Sequence, residues 1–281
     1  MKIILSKCIG FCSGVNRCVK LTQNLLDKKN KVYALGQLLH NSQEMDRLKN
    51  LGLKIVDKIS TIKKDANVII RTHGIEKNVL DKLIKKKVNV IDGTCPIVKR
   101  NQKLAIEYSN KGYNIIIYGD INHPEIKALV SYTNPEVETF IINSIDEIDT
   151  ITIYKGSGIV LIGQTTKELE QYKTIAKMLK KKFHNIKILD TICKETIIRE
   201  NDTNNISKKV DIVIVVGGKN SANTKKLVNI ALRNTKKVFH INDATELNVK
   251  KINKNDTIGI ISGASTPIWL VENVVKKLQC L

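Results

Sequence analysis

Cys12, Cys95 and Cys193 each follow a strand-like run and open a helix-like one, in the local texts KIILSKCIGFCSGV, VNVIDGTCPIV and IKILDTICKET. They lie 83 and 98 residues apart, so only the fold can bring them together. At a helix N-terminus, free N–H groups and the helix dipole stabilise a thiolate. Three such thiolates can hold a catalytic zinc with one open position, or an iron–sulfur cluster with one iron not bound by Cys. Their spacing does not choose between the two. The bland alternative is that all three are small buried hydrophobes. Cys8, Cys18 and Cys280 lack this context, and the run C-x3-C-x5-C around Cys12 matches neither a ferredoxin nor a zinc knuckle. They read as ordinary thiols.

Three of the five histidines, His40, His73 and His123, each close a strand and precede a helix or turn, whereas His184 and His240 read as structural. Glu125, in NHPEI, is the carboxylate best placed for proton transfer, although a first-turn Glu also complements a helix dipole. Thr165 and Thr166 of GQTTKEL stand at another helix start, where N-capping competes with proton relay or substrate binding. GGKNSANT and SGASTP are small, polar, Gly-bearing turns that present N–H groups and hydroxyls to phosphate. Neither is a P-loop or a GxGxxG turn. Beside the histidines they suggest a small anionic, phosphorylated substrate.

The elements that position these residues are short apolar runs alternating with helical patterns of about 10 to 15 residues. The runs are KIIL, VYAL, LKIV, NVII, VNVI, NIIIY, ETFII, GIVLI, IKIL, DIVIVV, KVFHI and TIGII. Such alternation predicts an α/β protein with mostly parallel sheets. The loops repeat a scheme: QLLHN, RTHG and DGTC in one unit, then GDINHPE, GQTT and DTIC, then GGKNSAN and SGAS. The last unit lacks a final strand, which KIIL with its IGFC loop can supply. His40 to His123 and Cys12 to Cys95 span 83 residues; His123 to Ser221 and Cys95 to Cys193 span 98. The expectation is three pseudo-symmetric units, 13–95, 96–193 and 194–281 completed by the strand in 1–12, around a central pocket. Ligands of open α/β sheets bind beyond the carboxyl ends of the strands.

A chain of 281 residues can bury a full core, and no stretch approaches a membrane span. No signal peptide is recognisable, and six cysteines without secretion argue for metal or redox chemistry in the cytoplasm. The net charge of +20 raises the question of a nucleic-acid partner. Of 47 basic residues only 6 are Arg, the residue of bidentate phosphate and guanine recognition, and runs such as LIKKKV read as solvated helix ends. No nucleic-acid partner is expected.

The ordered texts GFCSGV, LLHN, THG, DGTCP, NHPE, GQTT, TIC, GGKNSANT and GAS closely resemble the LytB (IspH) family of 4-hydroxy-3-methylbut-2-enyl diphosphate reductases, over essentially the whole chain. The resemblance implies a three-lobed α/β fold around a [4Fe–4S] cluster, with Cys12, Cys95 and Cys193 as ligands and one iron lacking a Cys. It implies that the substrate hydroxyl meets that iron. Two electrons and two protons then remove it as water, giving isopentenyl and dimethylallyl diphosphate at the end of the methylerythritol phosphate route. Glu125, with Thr165 and His123, matches the proton-delivery position. His40, His73, His123, Thr165, Ser221, Ala222, Asn223 and Ser265 match residues that hold the substrate. The implied electron donor is a ferredoxin or flavodoxin, which part of the basic surface would dock, and a monomer is expected.

Three departures stand out. Ala222 stands where relatives often have a second Ser. Glu195 and Glu200 replace a small residue and a Gln, adding negative charge near the third ligand. The chain also ends near Leu281, without the extension some relatives carry. Competing readings are a redox-neutral dehydratase with a Lewis-acidic iron, a cluster-bearing nucleic-acid regulator, and structural zinc.

Overall fold

The computed structural model describes residues 1–153 and 158–281. Each of the twelve apolar runs contains a strand, and among the described residues these form three four-stranded sheets in which every pairing is parallel. The α/β expectation therefore holds. The chain divides into two compact units, one of residues 1–26, 37–53 and 194–281, the other of 27–36 and 54–193.

The first unit holds β1 (Lys2–Leu5), β10 (Ile212–Val216), β11 (Lys237–Ile241) and β12 (Thr257–Ser262), in the order β1-β12-β10-β11. Its helices are α1 (Ser13–Asp27, bar its last residue), α2 (Ser42–Asn50), α7 (Lys194–Ser207), α8 (Ala222–Leu232) and α9 (Ile268–Gln279). The run IVIVV of β10 has no polar side because both faces are covered. Ile212, Ile214 and Val216 pack with Leu270, Val271, Val274 and Leu278 of α9. Val213 and Val215, on the alternate face, pack with Leu227 and Ala231 of α8. All five strand residues are fully buried, contributing about 1.5–3 kcal/mol each.

The second unit holds two sheets. One is β3 (Lys54–Val56), β2 (Val32–Leu35), β4 (Asn67–Ile69) and β5 (Asn89–Ile91), in the order β3-β2-β4-β5, with α3 (Lys77–Lys85). The other is β7 (Thr139–Ile142), β6 (Tyr113–Tyr118), β8 (Gly158–Gly163) and β9 (Ile186–Ile188), in the order β7-β6-β8-β9. Around it lie α4 (Pro96–Asn110), α5 (Pro124–Ser131) and α6 (Leu169–Lys182). Ile115, Ile117, Val160 and Ile162 of β6 and β8 pack with Ala105 of α4 and Ile126 and Leu129 of α5.

All three sheets share one order. The direction of strand succession reverses between the two central strands (β10 and β12, β2 and β4, β6 and β8), and loops diverge there to leave a crevice at the carboxyl ends. The candidate histidines, the phosphate-like turns and Thr165 all lie on chain leaving these central strands. The cysteines follow the outer strand beside them: β1, β5 and β9.

Candidate functional site

Each candidate cysteine is fixed by the same backbone bond. The N–H of Cys12 donates to the Ala264 carbonyl after β12, that of Cys95 to Thr72 after β4, and that of Cys193 to Thr165 after β8, each at 2.9 Å. A helix opens directly afterwards: the carbonyls of Cys12 and Cys95 accept the N–H groups of Asn16 and Lys99, the first bonds of α1 and α4. Cys95 is the N-cap of α4, and Pro96 starts that helix without sacrificing an N–H. All three thiols are partly buried. Burial pushes the Cys95 thiol up, the N–H groups of Ile97 and Val98 oppose this, and the negative charges of Cys193 and Glu125 push it up further. Cys95, Cys193 and Glu125 thus share one electrostatic environment in the second unit. Mutually repelling thiolates at helix N-termini fit a soft, positively charged group such as an iron–sulfur centre.

The same unit holds the proton-transfer candidates. His123 is the N-cap of α5, and Pro124 occupies its first position, so the text NHPE folds as a fixed corner. Glu125 is 3% exposed. Its Oε1 accepts the Thr165 N–H at 2.7 Å and its Oε2 the Thr165 hydroxyl at 2.8 Å. Burial raises the carboxyl to about 7, against the pull of both Thr165 bonds. A carboxylic acid tuned to neutrality and held in one rotamer is suited to general acid work. The His123 Nδ1 accepts the Glu125 N–H at 3.1 Å, which leaves Nε2 to carry the proton of the neutral ring. The His73 ring meets His123 edge-on, centroids 5.1 Å apart. Gly74, directly after His73, has φ +78°, and a Cβ there would lie 2.7 Å from the Gln102 Nε2.

The first unit gathers the remaining candidates. Ser221 caps α8, its Oγ accepting the Thr224 N–H at 3.3 Å. At the second position of that helix, the Asn223 Nδ2 is buried without a hydrogen-bond partner. The loops after β10 and β12 close on Thr224: a Cβ on Gly263 would lie 2.4 Å from its Oγ1, and one on Gly217 3.0 Å. That contact sets the loop of Ser265 beside the start of α8. The Gly218 Cα approaches the His40 carbonyl so closely that a Cβ would lie 2.8 Å from it. Ala222 is exposed, and its methyl leaves that position without a hydroxyl. The orphaned amide donor at the start of α8 fits an anion, which would accept its N–H and face the positive helix end.

Cys95, Cys193, His73, His123, Glu125 and Thr165 therefore lie in the second unit, and Cys12, His40, Ser221, Ala222, Asn223 and Ser265 in the first. Sequence reasoning missed the buried supports. Gln164 is 5% exposed, and its Oε1 accepts the Asp120 N–H, tying the loop after β6 to the loop after β8. Asn101 ties the carbonyls of Gly163 and Thr191 from α4. Asn101 shares the buried face of α4 with Gln102 and Ser109, so no single polar residue stood out there as a signal. Glu200 is paired with Lys226 of α8 and partly buried, so its charge is compensated locally. Glu195 instead accepts the Ser13 N–H, directly after Cys12.

A family model described as "LytB protein" matches residues 3–279. A Campylobacter fetus subsp. fetus protein, a 4-hydroxy-3-methylbut-2-enyl diphosphate reductase by name, is 39% identical across all of this chain and 98% of its own length. A Helicobacter pylori (strain 26695) protein of the same name is 38% identical across the full length of both. Among solved structures, that of (E)-4-hydroxy-3-methyl-but-2-enyl diphosphate reductase, "the Terminal Enzyme of the Non-Mevalonate Pathway", is 34% identical with a TM-score of 0.80, covering 100% of this chain and 99% of its own. The Plasmodium falciparum reductase matches with a TM-score of 0.88 at 28% identity, covering 100% of this chain and 87% of its own. With the family model spanning nearly every residue and relatives matching end to end, the chain belongs to the LytB family.

Proposed function

We infer that this chain is a 4-hydroxy-3-methylbut-2-enyl diphosphate reductase. It adds two electrons and two protons to its allylic alcohol substrate, breaks the C–O bond and releases water, leaving isopentenyl or dimethylallyl diphosphate. The family uses an iron–sulfur cluster, and we assign Cys12, Cys95 and Cys193 as its ligands. The cluster type we propose is [4Fe–4S] with one iron not bound by Cys. When bound, it would supply electrons singly and a Lewis-acidic iron for the substrate hydroxyl.

The chain's own residues do the rest. Glu125 holds a proton at neutral pH and delivers it to the departing oxygen, and the Thr165 hydroxyl, bonded to the Glu125 Oε2, relays its replacement. The Glu125 N–H, bonded to the His123 Nδ1, fixes the ring so that Nε2 is its protonated nitrogen. His40, His73, His123, Ser221, Asn223, Ser265 and the N–H of Ala222 hold the diphosphate, the Asn223 amide supplying the donor that the fold leaves unused. We take the segments 13–95, 96–193 and 194–281 with 1–12 as three lobes, each carrying one of the three cysteines. A ferredoxin or flavodoxin supplies the electrons, and the protein works as a cytoplasmic monomer. No described helix is long and apolar enough to cross a membrane.

The observation that carries this reading is the triplicate bond from a cysteine N–H to the carbonyl of the loop after the neighbouring strand. The test is the visible and Mössbauer spectrum of anaerobically purified protein, with and without substrate. A brown protein with one iron site that shifts on adding substrate is expected. A chain that stays iron-free after reconstitution refutes the assignment and leaves zinc or plain thiols.

A further inference from the structure

Helix α7, which begins at the residue after Cys193, is a poor amphipath: its text KETIIRENDTNNIS carries charges where a core stripe would be apolar. Three of those charges, Glu195, Arg199 and Asp202, are spaced i, i+4, i+7 and so share one face. All three bind the loop that carries Cys12. Asp202 Oδ2 accepts the Ser6 hydroxyl at 2.6 Å and the Lys7 N–H at 2.7 Å. Arg199, 3% exposed, donates to the carbonyls of Cys8 and Gly10, the latter at 3.2 Å, and to the Ser262 carbonyl at 2.8 Å. Glu195 accepts the Ser13 N–H at 3.0 and 3.3 Å through its two oxygens.

The loop therefore runs along α7 from Ser6 to Ser13, its donors met by carboxylates and its carbonyls by the guanidinium. The N–H of Gly10, with φ +84°, donates to the Ser262 Oγ, which Arg199 also contacts. Few of these bonds are interchangeable. Arg199 reaches these carbonyls through two separate nitrogens, Nη1 to Cys8 and Ser262 and Nη2 to Gly10, a spread that a single ammonium nitrogen lacks.

We propose that the Glu195–Arg199–Asp202 face of α7 is a clasp that positions Cys12 as a cluster ligand, and that Glu195 also lowers the cluster's reduction potential. The clasp rests on the cluster assignment made above. Because α7 opens directly after Cys193, it joins one ligand through the chain to the loop of another. The Glu195 carboxylate occupies the Ser13 N–H, at the end of α1 that would otherwise favour the Cys12 thiolate. Negative charge beside an iron–sulfur centre disfavours adding an electron. Glu195 thus gives this chain a lower potential than a relative with a small residue there.

The test compares Glu195→Gln, Glu195→Ala, Arg199→Lys and wild type, anaerobically reconstituted. In Glu195→Gln the amide oxygen still accepts the Ser13 N–H while the charge is gone, so cluster content stays and the midpoint potential rises. In Glu195→Ala the tether is lost as well, and iron release to a chelator speeds up about tenfold, as loss of one charge-assisted hydrogen bond gives. Arg199→Lys keeps the charge but releases a carbonyl, again accelerating iron release. A potential unmoved or lowered in Glu195→Gln overturns the tuning role. Wild-type release rates in both Glu195→Ala and Arg199→Lys overturn the clasp. Amide exchange at Lys7 and Ser13 in cluster-free protein, slow in wild type and faster in Asp202→Ala and Glu195→Ala respectively, tests the clasp separately. A wild-type chain that takes up no iron refutes the cluster assignment and the tuning role with it, while those exchange rates still decide whether α7 holds the loop.

Discussion

Glu125→Gln separates proton supply from everything else the site does. The substitution is isosteric, and both Thr165 bonds survive: the Gln oxygen accepts the Thr165 N–H, and the hydroxyl turns to accept from the new amide. Cluster uptake and substrate affinity are expected to stay near wild type. Turnover is expected to fall by about a hundred- to ten-thousand-fold, the usual contribution of a positioned general acid. Stability moves the other way. Burial lifts the carboxyl from 4.5 to about 7. The folded state therefore binds this proton more tightly than the unfolded chain does, and that stabilisation is complete below 4.5 and lost as pH rises through 7. Around pH 8 the wild type bears about 3 kcal/mol for ionising Glu125 in place, which the Gln variant escapes. Urea unfolding of the cluster-free proteins at pH 5.5 and 8 measures the difference. The gap should open at the higher pH in favour of Gln. Wild-type turnover should in turn decline as pH rises through about 7. Near-normal turnover in Glu125→Gln removes this residue from the mechanism, and a stability gap independent of pH shows that the carboxyl is not held near neutrality.

Cys95→Ser and Cys193→Ser should each cut iron content after reconstitution and change the visible spectrum while the cluster-free chains fold as wild type, checked by iron analysis and circular dichroism. Asn223→Ala removes a buried donor that has no partner within the protein, so folding stability should hardly change while KM rises about tenfold, the value of a hydrogen bond to a charged oxygen. Gly74→Ala forces a Cβ into the Gln102 amide at φ +78°, and should cost about 1–3 kcal/mol of stability and raise KM through a displaced His73, measured by unfolding and steady-state kinetics.

The strands were legible because β-branched runs bounded by Gly, Asn and Asp leave little choice, and IVIVV announces a strand covered on both faces. The candidate residues were legible because chemistry collects where strands end. The α7 clasp was not. Its residues bind backbone N–H and carbonyl groups nearly two hundred positions away, and backbone groups carry no sequence signal. Glu195 was visible only as an extra charge near Cys193, whereas the structure directs that charge to the residue after Cys12. Glu200, flagged for the same reason, turns out to be answered by Lys226.

The three sheets share a hydrogen-bond pattern with negligible sequence identity, and the reason is physical. A cysteine N–H bonded to a neighbouring loop carbonyl needs only a strand, a turn and a helix start in register, which many sequences supply. What differs among the three is how the loop before each Cys is held. DGTC is short, closed by the Asp92 carboxylate on the Thr94 N–H, and DTIC is braced by the Thr191 hydroxyl, which accepts the Gly163 N–H. The loop from Ser6 to Cys12 is longer, and its excess backbone donors and acceptors require partners from outside its own turn. Helix α7 provides them by giving up the apolar stripe that would have packed it. On this argument the charges on α7 answer the length of the Cys12 loop, and shortening that loop should remove the need for Arg199 before it disturbs either of the other two cysteines.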